Sequence, residues 1–189
     1  MQTNIIWKGR YYQSMEYCNL VQAESGNEIQ STIIGYHEQQ IFKVEYHIHT
    51  NKEWEVYLVS IHMQLDSKSE TIALENKDGI WYLNSKPEPS FKSIVYIDIS
   101  LTPFTNTLPV NGMAFENDKQ QIIDVIYFDL LEKKTKPSKQ IYTRLSTNKY
   151  LFQTYDGSFK AEIEVDEQGL VTDYPQLFEM LGKNSKVSR

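Results

Sequence analysis

Residues 93–115 read SIVYIDISLTPFTNTLPVNGMAF, and Asp98 is the only charged residue of this segment. Proline, asparagine and threonine are too frequent in it for a membrane span, so the lack of charge indicates burial inside a globular protein. Isoleucine, valine and tyrosine dominate its first part, which predicts a strand over 94–99. We therefore expect the rest of the chain to fold around this segment.

The middle of the segment predicts one short helix. Thr102 followed by Pro103 fits an N-cap and a first helical residue, where the missing N–H of proline is not needed. Pro109 is expected to end the helix, because proline fits poorly inside one. The sequence thus predicts a helical turn over 103–108, packed inside a sheet.

Two side chains of this turn are expected to serve the core. Phe104 and Leu108 are four residues apart, so on a helix they share one face. The amide of Asn106, if buried, needs hydrogen-bond partners, and backbone groups of adjoining strands are the expected ones. This stretch is therefore predicted to be structural first and a binding element second.

The remaining sequence favours β-structure. Tyrosine (13) and phenylalanine (8) are abundant, isoleucine (18) is the most frequent aliphatic residue, and turn signals such as Asp78-Gly79 and Asp156-Gly157 separate short runs of β-branched and aromatic residues. Such residues fit a pleated surface, and Asp-Gly favours a hairpin turn. We expect a mostly β, antiparallel protein with strands over 3–9, 15–24, 28–36, 40–50, 53–66, 69–76, 80–84, 94–99, 120–130, 138–147, 149–155, 158–166 and 169–174.

No linker or change in composition divides the chain, so one domain is predicted over residues 1–182. Residues 183–189 lack apolar periodicity and are expected to form a disordered tail. One hairpin allows a register to be predicted. If Asn51-Lys52 is its turn, His49 lies opposite Trp54 and Tyr46 lies opposite Tyr57, which then belongs to the core face.

Several function classes are disfavoured by composition. The net charge is −6, from 19 basic and 25 acidic residues, so no basic field is available to hold nucleic acid. The single cysteine, Cys18, excludes an intrachain disulfide framework. No apolar N-terminal run and no long apolar stretch indicate a secretion signal or a membrane span, and a cytoplasmic location is predicted.

No catalytic, metal or cofactor motif stands out. Neither a Gly-x-Ser-x-Gly elbow nor a glycine-rich phosphate loop occurs, and Cys18 is expected to be a small buried side chain. His47 and His49 share one face of a strand, but the register above places His62 about 20 Å from His47. We therefore predict no metal site and no cofactor.

Asp98 is the most unusual candidate for a functional residue, because it is the only charged group in an apolar segment. A carboxyl group in apolar surroundings must be hydrogen-bonded or paired, or its pKa rises. One interpretation makes it the polar anchor of a ligand cavity. The alternative is structural, with Asp98 accepting backbone N–H groups of the 100–106 turn or pairing with Arg10 or Arg144.

The sequence resembles the bacterial family described as "putative glycolipid-binding", a former domain of unknown function. The strongest match is DISLTPFTNTLP over 98–109, and QIYTRL over 140–145 resembles a second block of the family. Residues 156–166 and 169–178 resemble its C-terminal block. Weaker similarities lie at Trp7, Glu16, Trp54 and residues 79–81, so the resemblance covers about residues 5–178.

This resemblance implies a spiral β-roll, in which one long curled antiparallel sheet wraps around a single short helix, in a homodimer. It also implies a lipid or glycolipid as ligand, by similarity to periplasmic lipoprotein carriers that hold acyl chains. The candidate ligand-binding residues are those of the matching blocks, namely Trp7, Glu16, Trp54, Asp98, Phe104, Thr105, Asn106, Tyr142, Arg144 and Tyr174.

Three functional hypotheses follow. The first is a non-enzymatic binder of an amphipathic molecule, with the apolar chain inside the curled sheet and tyrosine and tryptophan side chains holding the polar head at its mouth. The second is an enzyme that uses Asp98 or Glu16 as acid or base on a small polar substrate. The third is a structural domain whose interior is filled by side chains.

Overall fold

The structure, a computed structural model, describes residues 1–186 and consists of one sheet with 15 strands. One short helix, α1, spans Thr107–Gly112 and follows a 3-10 turn over Phe104–Asn106, and a second 3-10 turn covers Pro89–Phe91. The strands are β1 Gln2–Gly9, β2 Ser14–Ala23, β3 Gly26–His37, β4 Gln40–Thr50, β5 Val56–Leu65, β6 Lys68–Lys77, β7 Ile80–Leu83, β8 Lys86–Pro87, β9 Tyr96–Ile99, β10 Gln120–Asp129, β11 Lys134–Ser146, β12 Lys149–Thr154, β13 Lys160–Val165, β14 Val171–Tyr174 and β15 Phe178–Lys186.

The strand order explains the curl. It runs from β8 back to β1, then from β15 back to β9, so the first and last strands pair in the middle of the sheet. Every pair is antiparallel except β9 with β10, which is parallel. The N–H of Val56 donates to the carbonyl of Val95 at 2.9 Å and so joins the start of β5 to the residue before β9. The prediction of one curled, mostly β sheet around a short helix is confirmed.

The helical segment occupies the inside of the curl. Phe104 and Leu108 are both fully buried, as predicted. The ring of Phe104 meets that of Trp7 edge to face, with 6.5 Å between centroids, and the hydroxyl of Thr102 accepts the N–H of Phe104 at 3.0 Å, which is the capping contact expected at this end. Among residues 1–186, no helix is long and apolar enough to cross a membrane.

The expectation that Pro109 ends the helix is wrong. Helix α1 continues through Pro109 to Gly112. Pro109 lies in the first turn of α1, where a backbone N–H has no partner within the helix, so its absence costs little. The carbonyl of Pro109 accepts the N–H of Met113 at 3.1 Å as the helix ends.

The predicted register of the β4–β5 hairpin is also wrong. His49 pairs with Leu58 and Tyr46 pairs with Ile61. The turn is longer than Asn51-Lys52, because the side-chain oxygen of Asn51 accepts the N–H groups of Glu53 and Glu55 at 3.0 and 2.9 Å. This side chain takes the place of a backbone acceptor and lengthens the loop. Tyr57 consequently lies in the bulge after the turn and is exposed rather than part of the core.

The same shift changes the positions of the histidines. His62 pairs with Glu45, and His47 pairs with Ser60, two residues before His62. His47 and His62 are therefore diagonal neighbours on adjacent strands, whose Cα atoms lie about 7–8 Å apart. The expected separation of about 20 Å is wrong. Within the described residues, no three histidine, cysteine, aspartate or glutamate side chains are grouped so that they could hold a metal ion.

Two strands, β8 and β15, were not expected from the sequence. Strand β15 includes residues 183–186, which the sequence assigned to a disordered tail, and it pairs with β1 from Gln2–Lys186 to Gly9–Phe178. Backbone pairing holds these residues in the sheet although residues 181–186 are exposed, so no apolar alternation marks them. The remainder of the expected tail, 187–189, lies outside the described residues.

Candidate ligand-binding cavity

A cavity of about 730 Å³ opens on the inner face of the half of the sheet formed by β9–β12. The loop between β1 and β2 and the turn between β14 and β15 complete its wall. Its lining residues are Tyr11, Tyr12, Asp98, Ile99, Ser100, Thr102, Asn106, Tyr127, Lys136, Ser138, Lys139, Gln140, Phe152, Thr154, Tyr155, Asp156, Ser158, Phe159, Tyr174, Gln176, Leu177 and Phe178. This volume is within the range of small-molecule sites, about 300–1,000 Å³.

Eight of the 22 lining residues are aromatic, and five of their rings pack into one series. Tyr174 packs against Phe152, Phe159 and Phe178 with 6.1 Å between ring centroids in each case, and Tyr12 extends the series to Phe178 at 6.1 Å. Four of these rings lie within residues 152–178 and the fifth, Tyr12, lies in the β1–β2 loop, and their edge-to-face and tilted contacts hold one another in place. The wall is therefore a fixed apolar surface.

Strand pairing places polar groups on the same face. Asp98 on β9 lies beside Tyr127 on β10, and Tyr127 lies beside Lys136 on β11. Because side chains alternate along a strand, Ser138 and Gln140 follow Lys136 on the cavity face. These residues give the cavity a polar stripe across three strands.

Asp98 is hydrogen-bonded, and no cation of residues 1–186 forms an ion pair with it. Its Oδ1 accepts the hydroxyl of Thr105 at 3.0 Å, and its Oδ2 accepts the side-chain amide of Gln140 at 2.7 Å. The structural alternatives for Asp98 thus need correction, because its partners are two side chains rather than turn N–H groups or an arginine. The carboxyl group is half-buried and lines the cavity.

The arginines have other partners. Arg10 donates to Asp173 and Glu179 at 2.8 Å each, because the β14–β15 turn brings these acids to the end of β1. Arg144 donates from its Nε to the carbonyl of Ser146 at 3.1 Å. Neither guanidinium neutralises the charge of Asp98.

Burial raises the pKa of Asp98, although the hydrogen bonds from Thr105 and Gln140 act in the opposite direction. Desolvation raises the pKa of Tyr12 to about 12, and the negative charge of Asp98 contributes to the rise. The same two causes raise the pKa of Tyr127 and Tyr174. These hydroxyl groups therefore stay protonated around the carboxyl group and can act as donors to it or to a ligand.

Asn106 finds a side-chain partner rather than the strand backbone groups expected from the sequence. Its Oδ1 accepts the hydroxyl of Tyr142 at 2.8 Å, and its Nδ2 donates to the carbonyl of Pro103 at 3.2 Å. The helical segment packs against β9, and Tyr142 reaches Asn106 from β11. The pair fixes Asn106 at the inner end of the cavity.

Glu16 lies behind the cavity wall in a sealed polar cluster. Its Oε1 accepts hydroxyl groups of Tyr46 at 2.6 Å, Ser31 at 2.7 Å and Thr102 at 3.0 Å. Its Oε2 finds no hydrogen-bond partner among residues 1–186, and the residue is 2% exposed. Burial outweighs the hydrogen bonds and raises the pKa of Glu16 to about 7. Thr102 lines the cavity and lies between it and this carboxyl group.

The whole chain, and not only this cavity, is similar to known proteins. The sequence model of the family described as "Putative glycolipid-binding" matches residues 4–180. The chain belongs to this family. A crystal structure of a DUF1089 family protein from Pseudomonas aeruginosa is similar to it with a TM-score of 0.78 and 27% sequence identity, covering 87% of this chain and 91% of that one. No curated protein matches the chain.

The residues that carry the resemblance to the glycolipid-binding family fall into three groups in the fold. Asp98, Asn106 and Tyr174 line the cavity. A second group consists of residues that hydrogen-bond to a lining residue: Thr105 to Asp98, Tyr142 to Asn106 and Glu16 to Thr102. The third group, Trp7, Trp54, Phe104 and Arg144, neither lines the cavity nor makes a hydrogen bond from its own side chains to a lining residue.

The tryptophans do not lie at the mouth of a cavity, contrary to expectation. Trp7, Trp54 and Trp81 are 0%, 8% and 1% exposed. The indole of Trp7 donates to the carbonyl of Val171 at 2.7 Å, and that of Trp81 donates to the carbonyl of Ile94 at 2.9 Å. Their N–H groups are thus used within the core of this family member.

Sequence reasoning missed most of the cavity lining. Gln140 belongs to a block that carried the resemblance, but nothing in its spacing linked it to Asp98. Tyr11 and Tyr12 lie in the β1–β2 loop, and their adjacency to a turn was the only available signal. The missing information was which strands meet in space.

Proposed function

We propose that this protein binds an amphipathic molecule, a glycolipid or another lipid, in the cavity between β9–β12 and the β14–β15 turn, without catalysing a reaction. One observation carries the proposal: an open cavity of about 730 Å³ combines an aromatic wall with a half-buried, unpaired carboxyl group. Apolar walls with a few placed polar groups are typical of sites for small organic ligands. Membership of the glycolipid-binding family supports the same ligand class.

The structure fits a ligand better than a completely filled core. The centre of the curl is indeed filled, by Phe104, Leu108 and their neighbours. The cavity lies to one side of this filled region, and both apolar rings and polar groups are accessible in it. The filled core and the open cavity are thus separate parts of the fold, and the cavity is accessible to a ligand.

The direct test is native mass spectrometry of the purified protein, together with organic extraction and lipid analysis. We expect a bound amphiphile with wild type and its loss from Ser138→Phe. Ser138 is half-buried on β11 and lines the cavity, so a phenylalanine there would occupy the ligand space. Ser60→Phe is the matched control, since Ser60 is exposed on β5, away from the cavity.

If no amphiphile copurifies and a panel of glycolipids and fatty acids gives no thermal shift, the proposal fails. It fails equally if Ser138→Phe retains the bound molecule while the variant remains folded. Loss of the ligand from Ser60→Phe as well would mean that the loss reflects general destabilisation and not occupation of the cavity.

We also propose that the protein is a homodimer. A groove of about 810 Å³ on the outer face of β2–β4 is lined by exposed apolar side chains, among them Met15, Ile34, Tyr36 and Ile41. Contiguous apolar surface of this kind favours a protein partner. Analytical ultracentrifugation should give a dimer for wild type and a monomer for Ile34→Lys, and a monomeric wild type would contradict the proposal.

The cytoplasmic location, in a bacterial cell, stays a prediction that cell fractionation with an antibody to the protein would test.

A second candidate function is acid–base catalysis on a small polar substrate. It is favoured by the raised pKa of Asp98 at an accessible cavity, whereas Glu16 is sealed from it. A panel of nitrophenyl glycosides and esters would reveal such an activity as turnover lost in Asp98→Asn.

A further inference from the structure

Resting on the proposed function, we infer that the ligand enters this cavity head first. A neutral sugar lies against the inner end, and the apolar chain leaves through the opening. This orientation is the reverse of the one expected from the sequence, in which the chain is buried and the head stays at the mouth. The inner end, here called the polar floor, consists of Asp98, Thr102, Asn106 and Gln140, and the mouth is marked by Tyr11 and Tyr155.

The burial of the lining residues defines which end is inside. Thr102, Gln140 and Asn106 are 2%, 5% and 6% exposed, whereas Tyr11 and Tyr155 are 56% and 58% exposed. Thr102, Asn106 and Gln140 thus share the inner end of the cavity with the rings of Phe152, Tyr174 and Phe178, which are 6%, 5% and 3% exposed, and the two exposed rings mark its mouth. The carboxyl group of Asp98 beside them disfavours the burial of an alkyl chain at this end.

The polar floor is costly to cover with a hydrocarbon. The carboxyl group of Asp98 receives one hydrogen bond on each oxygen, at 3.0 and 2.7 Å, and a carboxylate has about four acceptor sites. An alkyl chain would remove water from the remaining sites without replacing its hydrogen bonds, which is unfavourable. Sugar hydroxyl groups can donate to those sites, and hydrogen bonds to an ionised group are among the stronger ones.

The wall above the polar floor suits a sugar ring. A pyranose presents C–H groups on its faces and hydroxyl groups around its edge. Tyr174 and Phe152 offer packed ring surfaces for the C–H faces of the sugar, with 6.1 Å between their centroids. The charge of Asp98 contributes to the raised pKa of Tyr12, Tyr127 and Tyr174, and their hydroxyl groups can hydrogen-bond to the hydroxyl groups at the edge of the sugar.

The charges of the cavity favour a neutral head over an acidic one. The cations of the lining are Lys136 and Lys139, and both are exposed at the mouth. Lys139 is already paired with Asp124 at 2.8 Å. A phosphate or carboxylate at the polar floor would meet the charge of Asp98, whose two hydrogen bonds come from the neutral side chains of Thr105 and Gln140, so the inferred head is a neutral sugar.

The interior of the curl offers no alternative place for a chain. The helical segment occupies it, with Phe104 and Leu108 completely buried against the surrounding strands. A long chain can therefore extend only outward from the cavity, past Tyr11 and Tyr155. The exposed aromatic rings at the mouth would cover its first carbon atoms.

The test measures the affinity of the purified protein for four probes by isothermal titration: octyl glucoside, methyl glucoside, 1-octanol and octyl phosphate. We expect octyl glucoside to bind best and octyl phosphate to bind worse than 1-octanol. Asp98→Leu should weaken octyl glucoside about tenfold or more and leave 1-octanol unchanged or tighter. Glu70→Leu, which removes an exposed carboxylate on β6 away from the cavity, is the matched control and should change none of these affinities.

Asp98→Asn serves if Asp98→Leu does not fold, and should weaken octyl glucoside without affecting 1-octanol. If either variant binds octyl glucoside as tightly as wild type or tighter, the head does not lie at the polar floor and the inference is wrong, although the proposed function stands. If no amphiphile binds the wild type and none copurifies with it, both are wrong.

Discussion

At the scale of single residues, Glu16 is the group whose surroundings conflict most with its charge. It is 2% exposed, three hydroxyl groups donate to one of its oxygens, and the other oxygen has no partner. Its pKa of about 7 means that folding favours the protonated form over a wide pH range. The carboxyl group is thus a source of pH-dependent stability rather than a fixed charge.

The free energy of unfolding should therefore fall as the pH rises from about 4.5, the ordinary pKa of this group, through about 7. The loss attributable to Glu16 is up to about 3 kcal/mol, since the unfolded chain ionises first. Glu16→Gln keeps a neutral side chain of the same shape and should lack this loss. Urea denaturation of both proteins at pH 5 and pH 8 isolates the effect, and equal pH dependence in the two would contradict it.

Asp98 shows what could be predicted at this scale. Its isolation in an uncharged segment indicated that the group was unusual, and it does line the cavity. Its partners Thr105 and Gln140 could not be predicted, because the second depends on how β9, β10 and β11 align. The arginines proposed for it were wrong for the same reason, since Arg10 meets acids that the β14–β15 turn brings close.

At the scale of elements, the segment after β9 was predicted in type and in position. Its lack of charge indicated burial, and Thr102 and Pro103 indicated the start of a helical turn. Its end was not predicted, because the disruptive effect of a proline depends on the turn in which it lies, and Pro109 lies in the first turn of α1.

Phe104→Ala should destabilise the protein by about 3–5 kcal/mol, because it removes a ring that is completely buried inside the curl. Asn106→Ala should cost less, about 1–3 kcal/mol, by leaving the hydroxyl of Tyr142 unpaired. Thermal melts measure both, with exposed Tyr57→Ala as the control. Melting of both variants within a degree or two of wild type would contradict a structural role for the segment.

Two elements show the limits of pattern reading. The β4–β5 register depended on hydrogen bonds that the side chain of Asn51 makes, and a turn signal in the sequence does not give the length of the turn. Strand β15 was missed because residues 181–186 are exposed on both faces, so burial leaves no period in them. Pairing with β1, and not side-chain pattern, makes these residues a strand.

At the scale of the whole molecule, composition and turn spacing were enough for the fold class, and the family resemblance supplied the curl. The cavity was beyond their reach, since it exists only where the β1–β2 loop and the β14–β15 turn meet the face of β9–β12. That meeting follows from the pairing of β1 with β15, the contact most distant in sequence. The position of the site is therefore a property of the closed chain.

A crystal structure of the protein grown with octyl glucoside would show whether this cavity binds an amphiphile with its head at the polar floor. We expect a sugar ring within hydrogen-bond distance of the carboxyl group of Asp98 and the amide of Gln140, with the octyl chain directed past Tyr155 to solvent. An empty cavity at saturating octyl glucoside, or an octyl chain lying against Asp98, would contradict this expectation.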